Sequence, residues 1–228
     1  MKRLSAPGFW SVKRKENKFV IEPQPGPHPK KRCIPLGIIL RDILKYAENM
    51  KEVRSGLNMK LVKINSRVVR SPRFPVGLMD VVSVSSENYR VLTNRKGLCL
   101  HKIDEQEAGI RLAKIIKKTC VKGKVQLNLH DGNNILLEKN NYNTGDVLVL
   151  ENNKVKDVIK FEKGALAMVT GGSNIGNIGN IENVVVRKSS QENHVELVIG
   201  KKKTPVPEKY VFVVGKDKPV ISLGETNE

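Results

Sequence analysis

Along residues 36–47 the apolar side chains Leu36, Ile39, Leu40, Ile43, Leu44 and Ala47 recur at intervals of three and four, and this single stripe predicts an amphipathic helix. Arg41 and Lys45, four residues apart, project together from its opposite side. Met50, Val53 and Leu57 predict a second, shorter helix with Lys51 and Arg54 outward and an end near Gly56. The period then changes to two. Val62 and Ile64 alternate with Lys63, Asn65-Ser66 marks a turn, and Val68-Val69 returns as the second arm of a hairpin. Asp80 to Val84 supplies a further strand, so that two helices and a small sheet form one unit.

Beyond residue 90 the helical period reappears only over Glu107 to Lys118, where Ile110, Ala113, Lys114 and Lys117 predict a short helix. The rest reads as strands. Val125, Leu127 and Leu129 alternate with Gln126 and Asn128, Asp131-Gly132 turns, Ile135 to Leu137 returns, and Thr144-Gly145-Asp146 turns into Val147 to Leu150. A further block runs from Lys154 through a loop with Gly171, Gly172, Gly176 and Gly179 into Val184 to Val186, the spacing of a small barrel. The chain after Leu223 reads as a disordered tail.

The first 32 residues carry no such pattern. The Pro/Gly cluster from Pro23 to Pro29 admits neither a helix nor an interior strand, which predicts an extended arm. Phe9 and Trp10 stand beside Lys13-Arg14-Lys15, a pairing of rings and cations that suits stacking on a nucleotide or anchoring of the arm on its own domain.

Charge changes the picture most. The 228 residues hold 41 Lys and Arg against 23 Asp and Glu, a net +18. Residues 1–80 hold 18 basic and 6 acidic side chains, net +12. So large a surplus repels itself in a folded chain unless a polyanion balances it, and nucleic acid is the expected partner. The predicted elements gather Arg41, Lys45, Arg54, Lys60, Lys63, Arg67, Arg70 and Arg73 onto one face, with Arg3, Trp10, Lys13, Arg14, Lys15, Lys30, Lys31 and Arg32 expected to contribute from the arm. Lys201-Lys202-Lys203 reads as a less specific exposed turn.

Other chemistry is not called for. The glycine loop lacks the lysine and hydroxyl that end a P-loop and leads into a strand, so its glycines serve positive φ and close backbone approach. His28, His101, His130 and His194 share no metal-site spacing, and no catalytic signature is present, so neither a metal, a cofactor, an enzyme activity nor a small-molecule substrate is expected. Cys33, Cys99 and Cys120 are too few and too scattered for a disulfide framework. The longest apolar run, Ile34 to Leu44, is broken by Pro35, Gly37, Arg41 and Asp42, and no secretory signal precedes it, so no membrane contact and a cytoplasmic location are expected.

Several of these segments resemble the small-subunit ribosomal protein four family of the archaeal and eukaryotic type. The carriers are Leu4-Ser5-Ala6-Pro7-Gly8-Phe9-Trp10, Gly26-Pro27-His28, Ile34-Pro35-Leu36 through Asp80-Val81, Tyr142 to Asp146, Met168 to Ile181, and the closing Phe212 to Lys216 and Pro219 to Leu223. The stretch Met168 to Ile181 is similar to the family's KOW motif, a short β-hairpin element of a barrel. Asn177 stands where the family usually has Arg or Lys, and Asn65-Ser66 replaces the more usual Asn-Gly, which strains a tight type I′ turn.

The resemblance implies an α+β chain: a basic extended N-terminal arm (1–33), a small helix-helix-sheet RNA-binding module (34–90), a central mainly β domain (91–155), a KOW-type β-barrel (156–223) and a disordered tail (224–228). It adds His28, Gly171, Gly172, Asn174 and Gly176 to the expected RNA-binding residues. It also implies a structural constituent of the small ribosomal subunit, with small-subunit ribosomal RNA and neighbouring ribosomal proteins as partners. Two other readings stay open from the residues themselves: a KOW-containing transcription or ribosome-assembly factor, and an RNA-modifying enzyme, which would need a catalytic domain that residues 90–228 do not offer.

Overall fold

In the computed structural model, which describes residues 1–10, 12–13, 15–138, 141–152, 154–187, 192–200 and 202–224, the chain divides into two units. One comprises Met1–Leu92 with Lys96–Gly109, the other Thr93–Arg95 with Ile110–Glu228. The expectations on Arg14, on Lys201 and on the tail beyond Gly224 lie outside the described residues.

In the first unit, strand β1 (Cys33–Pro35) pairs antiparallel with the later β4 (Pro75–Gly77) and hands over at Pro35, whose fixed φ of −60° suits a helix start. Helix α1 (Leu36–Ile38) widens at once into a π turn (Ile39–Ile43), so the predicted stripe is helical but shorter than its apolar spacing. Leu36, Ile39 and Leu40 are buried and Ile43, Leu44 and Ala47 half-buried. The turn ends because Lys45 takes a left-handed φ of 57° and Asn49 then opens α2 (Met50–Asn58), its side chain accepting from the N–H groups of Lys51 and Glu52. Helix α2 runs past Gly56, burying Val53 and Leu57 as the spacing predicts.

The hairpin also forms as expected: β2 (Val62–Ile64) and β3 (Arg67–Val68) face each other across Asn65 and Ser66, at φ 50° and 68°. Both positive angles are those of a type I′ turn. Asn65 tolerates its angle because its side chain bonds Val81 N–H and Asp80. With β5 (Val81–Val84), β6 (Glu87–Asn94) and β7 (Gly97–Ile103), β2 and β3 form the main sheet, in the order β3-β2-β5-β6-β7.

The N-terminal segment corrects the expectation of an extended arm. Lys2 bridges Phe19, the Met1 amino group donates to Val20 C=O at 3.0 Å, and Arg3–Ser5 form a 3-10 turn, so the start of the chain folds back against residues 18–20. Ala6, Trp10 and Val20 enter the same core as Leu36, Ile38 and Leu57. An arm with apolar side chains of its own buries them rather than leaving them in water. The Pro/Gly stretch from Pro23 to Pro29 has no regular secondary structure, as its composition predicts.

In the second unit the helix predicted over Glu107 to Lys118 is a strand. Helix α3 is the single turn Glu105–Ala108 of the first unit, and β8 (Ile110–Val121) follows. β8 lies between β9 (Lys124–Leu129) and β11 (Val147–Glu151), where Leu112, Ala113 and Ile115 are buried; pairing with distant strands overrides the weak helical spacing. With β10 (Asn134–Leu137) and β12 (Lys154–Ile159) the sheet reads β10-β9-β8-β11-β12, every neighbouring pair antiparallel. A second five-stranded sheet joins β13 (Leu166–Val169), β14 (Ile178–Val185), β15 (His194–Ile199), β16 (Lys202–Pro207) and β17 (Val211–Gly215) in the order β16-β15-β14-β13-β17. Lys202 and Lys203 therefore lie on a strand rather than in a turn, and Lys203 pairs with Glu182. The fold is mixed and mostly β, with few helices.

Candidate nucleic-acid interface

The end of α2 shows how the sequence presents a cation. Leu61 N–H bonds Gly56 C=O at 3.3 Å and Lys60 N–H bonds Leu57 C=O at 3.1 Å, the two bonds of a Schellman motif. The residue between helix and strand in that motif is usually glycine, because it must be left-handed; here it is Lys60, at φ 61°. Such a conformation costs a residue with a side chain about 1 kcal/mol. Lys45 stands in the same pose after the π turn.

Arg54 projects from α2, Lys63 from β2, Arg67 from β3, and Arg70 follows the hairpin; like Lys45 and Lys60, all are exposed. Among the described residues none of Lys45, Arg54, Lys60, Lys63, Arg67 and Arg70 has a carboxylate within ion-pair distance. Arg41 differs: half-buried, it is forked onto Asp42 at 2.8 Å. Arg73 is exposed but its Nε donates to Glu22 C=O at 3.0 Å. In the arm Lys15, Lys31 and Arg32 are exposed, while Lys13 pairs with Glu16 and Lys30 with Glu22, both at 2.7 Å. Exposed pairs of this kind are weak and exchange readily for a phosphate. Beside Lys45 in the chain, Tyr46 and Tyr89 both donate to Glu87, their hydroxyl oxygens 2.8 Å apart, and Lys102 also binds that carboxylate. The hydrogen bonds from Lys102, Tyr46 and Tyr89 pull Glu87 down to about 2, so it stays ionised with its charge met by Lys102 within the cluster.

Three expected contacts are corrected by burial. Trp10 is 4% exposed and its indole N–H donates to Cys33 C=O at 2.8 Å, so it anchors the arm instead of stacking on a base. Arg3 spends its guanidinium on the carbonyls of Phe19 and Lys13, closing the loop of the arm. His28 bonds Asp80 at 2.9 Å and lies over Gly77, where a Cβ would fall 2.3 Å from the imidazole. Asp80 also accepts from Asn65 at 2.7 Å and from Gly77 N–H at 2.9 Å, tying the arm, the hairpin turn and β4 together. Burial works to raise the Asp80 carboxyl, but the hydrogen bond and attraction of His28, with those of Gly77 and Asn65, outweigh it and hold the group below the ordinary carboxylate value.

The glycine loop joins β13 to β14. A Cβ on Gly171 would sit 2.6 Å from the Tyr210 ring, so only glycine lets that ring approach the backbone. Gly172 is exposed at φ 86°, Gly176 is buried at φ 84°, and Asn174 is half-buried with its C=O receiving Asn177 N–H. Lys209 lies 5.0 Å from the centre of the Tyr210 ring.

Sequence reasoning missed a groove. Gln24, Lys60, Val68, Val69, Arg70, Ser71 and Phe74 enclose about 640 Å³ open to solvent. Val68 is 44% exposed, and Met59 and Leu61, on either side of Lys60, are exposed as well. The signal in the sequence is the pair of apolar residues that flanks a lysine just past the helix end. Among the described residues no cluster of His, Cys, Asp or Glu is arranged for a metal, and no helix is long and apolar enough to cross a membrane.

A strand-rich chain whose helix and hairpin carry exposed cations without acid partners among the described residues has the make-up of a polyanion-binding protein. Comparisons with known proteins sharpen this. Residues 85–157 match the Ribosomal family S4e, and residues 1–31 match the RS4NT (NUC023) domain. The chain is 44% identical over 230 residues to the small ribosomal subunit protein eS4 of Methanothermobacter thermautotrophicus, covering 98% of this chain and 95% of that one. It is 43% identical to the eS4 protein of Archaeoglobus fulgidus, covering 98% and 97%. The crystal structure of the 30S ribosomal protein S4e from Thermoplasma acidophilum superimposes with a TM-score of 0.73 at 29% identity, over 85% of this chain and 99% of that one. The chain belongs to the S4e family of ribosomal proteins.

Proposed function

We propose that this protein is a structural, non-enzymatic constituent of the small ribosomal subunit, working in the cytoplasm as part of the ribosome and binding ribosomal RNA. The observation that carries the reading is the 44% identity to an eS4 protein over nearly the whole of both chains. The exposed cations give it a mechanism. Each lysine or arginine that meets a phosphate releases condensed counterions, and the rigid face made by α2, β2 and β3 fixes the spacing of Arg54, Lys60, Lys63, Arg67 and Arg70 before RNA arrives. Lys13, Lys15, Lys30, Lys31, Arg32, Arg41, Lys45 and Arg73 extend the contact set. Recognition is by shape, since the deep, narrow major groove of A-form RNA hides base edges from side chains.

The finer layout is part of the same reading: an arm over 1–33, an RNA-binding module over 34–90, a central β domain over 91–155 and a KOW-type barrel over 156–223. The last is supported by a five-stranded sheet with register shifts in β13 and β14 and by the glycine loop between those strands, whose Gly171, Gly172, Asn174 and Gly176 are the proposed contacts there. Neighbouring ribosomal proteins are the other expected partners. Sedimentation of a cell extract tests the reading. The protein is expected in the small-subunit peak and to stay there through a salt wash that strips loosely held factors. Recovery at the top of the gradient would favour a transient transcription or assembly factor instead.

A further inference from the structure

The groove beside Lys60 does not look like a surface built for phosphate alone. Its floor is apolar, with Val68 at 44% exposure, Val69 and the half-buried Phe74. Its rim carries Lys60 and Arg70, both exposed and without a carboxylate partner among the described residues. Gln24 accepts from the Ser71 hydroxyl at 2.8 Å, and Ser71 Oγ accepts from Arg73 N–H, so the oxygens here are engaged. The Gln24 amide NH2, the Lys60 ammonium and the Arg70 guanidinium are left as donors. A ligand that fits therefore has a flat apolar face, acceptor atoms on its edge and negative charge beside it.

The backbone points the same way. Lys60 occupies the left-handed position of the Schellman motif where glycine would be relaxed, and its side chain lines the groove. Strain kept at a position that a single substitution would relieve marks a side chain with a use.

Resting on the reading of this face as an RNA-binding surface, we propose that the groove holds one unpaired nucleotide, its base against Val68 and Phe74 and its phosphates on Lys60 and Arg70. A nucleotide meets all three requirements, and the positive rim favours it over an apolar protein segment. The face thus reads paired RNA by its backbone and captures, at this one point, a base that has left the helix.

The test uses the full chain and two single-stranded RNA probes of equal length, oligoadenosine and the same backbone with abasic sites, which differ only in their bases. Oligoadenosine is expected to bind about tenfold tighter, the size of one base packed on a protein surface. Val68→Ser should erase most of that gap without changing the salt dependence of either probe. Val68→Phe should widen it. Lys60→Gly should weaken both probes alike and lower the slope of log affinity against log salt by about 0.7, while raising the melting temperature by about 2 to 4 °C as the left-handed strain is relieved. Equal binding of the two probes, or a gap that Val68→Ser leaves intact, would overturn the groove while leaving the phosphate-binding face standing. Failure of both probes to bind at low salt would overturn the face as well. Photocrosslinks from position 68 that run to a protein rather than to RNA in assembled subunits would also overturn it.

Discussion

The N-terminal arm and the helix-hairpin face lie in the same unit and look alike in composition, basic residues interleaved with apolar ones, yet the structure gives them opposite roles. In the arm the ring that suggested a nucleotide platform turns inward, Trp10 being hydrogen-bonded to Cys33, and Arg3 is spent on the carbonyls of Phe19 and Lys13, while Lys13 and Lys15 stay exposed. On the face, Lys60, Lys63, Arg67 and Arg70 are exposed and without acid partners among the described residues, while the apolar residues of α2 and β2 are buried beneath them. What separates an anchor from a contact is therefore the inventory of partners inside the protein, not the residue type.

That contrast is open to direct attack. Trp10→Ala should have the largest effect, a loss of roughly 3 to 5 kcal/mol of stability measured by denaturant unfolding, because it empties a buried site and leaves Cys33 C=O without its donor. Unchanged stability with RNA binding abolished would move Trp10 to the other side of the comparison. Asp80→Asn comes next, at roughly 3 kcal/mol, since it removes one partner of a buried pair.

The pH dependence of that anchor has a definite sign. The folded Asp80 pKa is depressed, so its contribution is complete above the unfolded value of about 4 and is lost as pH falls through the lower folded value. Trp10 is the chain's one tryptophan, so its fluorescence reports the docking of the arm. The emission should shift to the red on acidification below about pH 4, and the wild type should be the more stable above that pH, its profile converging with that of Asp80→Asn below it as Asp80 protonates.

Arg67→Ala should be the mildest change to the fold. Stability should stay within about 0.5 kcal/mol of the wild type, while the salt slope of RNA binding drops by about one unit. A large loss of stability would show that this arginine is an anchor too.

How far each region can be read from sequence follows from the distance over which its fate is decided. The stripe from Leu36, the pair Val53 and Leu57 and the turn at Asn65-Ser66 are legible because their contacts are local and their spacing is set by one helix or one hairpin. β8 is not, because Leu112 and Ala113 gain their strand from Val149 and Leu148, more than thirty residues later. The roles of Trp10 and His28 depend on Cys33 and Asp80 in the same way. Helix and hairpin periodicity fix which side chains point out, so Lys45, Arg54, Lys60, Lys63, Arg67, Arg70 and Arg73 are exposed as their spacing predicts, whereas Arg41 is half-buried against Asp42. The groove was not seen, because it exists only where residues 24, 60 and 68–74 meet.

The central claim is that exposed cations on a prefolded face grip ribosomal RNA through its phosphates. The measurement that meets it most directly is the affinity of the purified chain for small-subunit ribosomal RNA across a salt series. For roughly 6 to 10 phosphate contacts the account predicts a loss of about three to five decades between 50 and 200 mM salt. A flat dependence, or no binding at the low end, would contradict it.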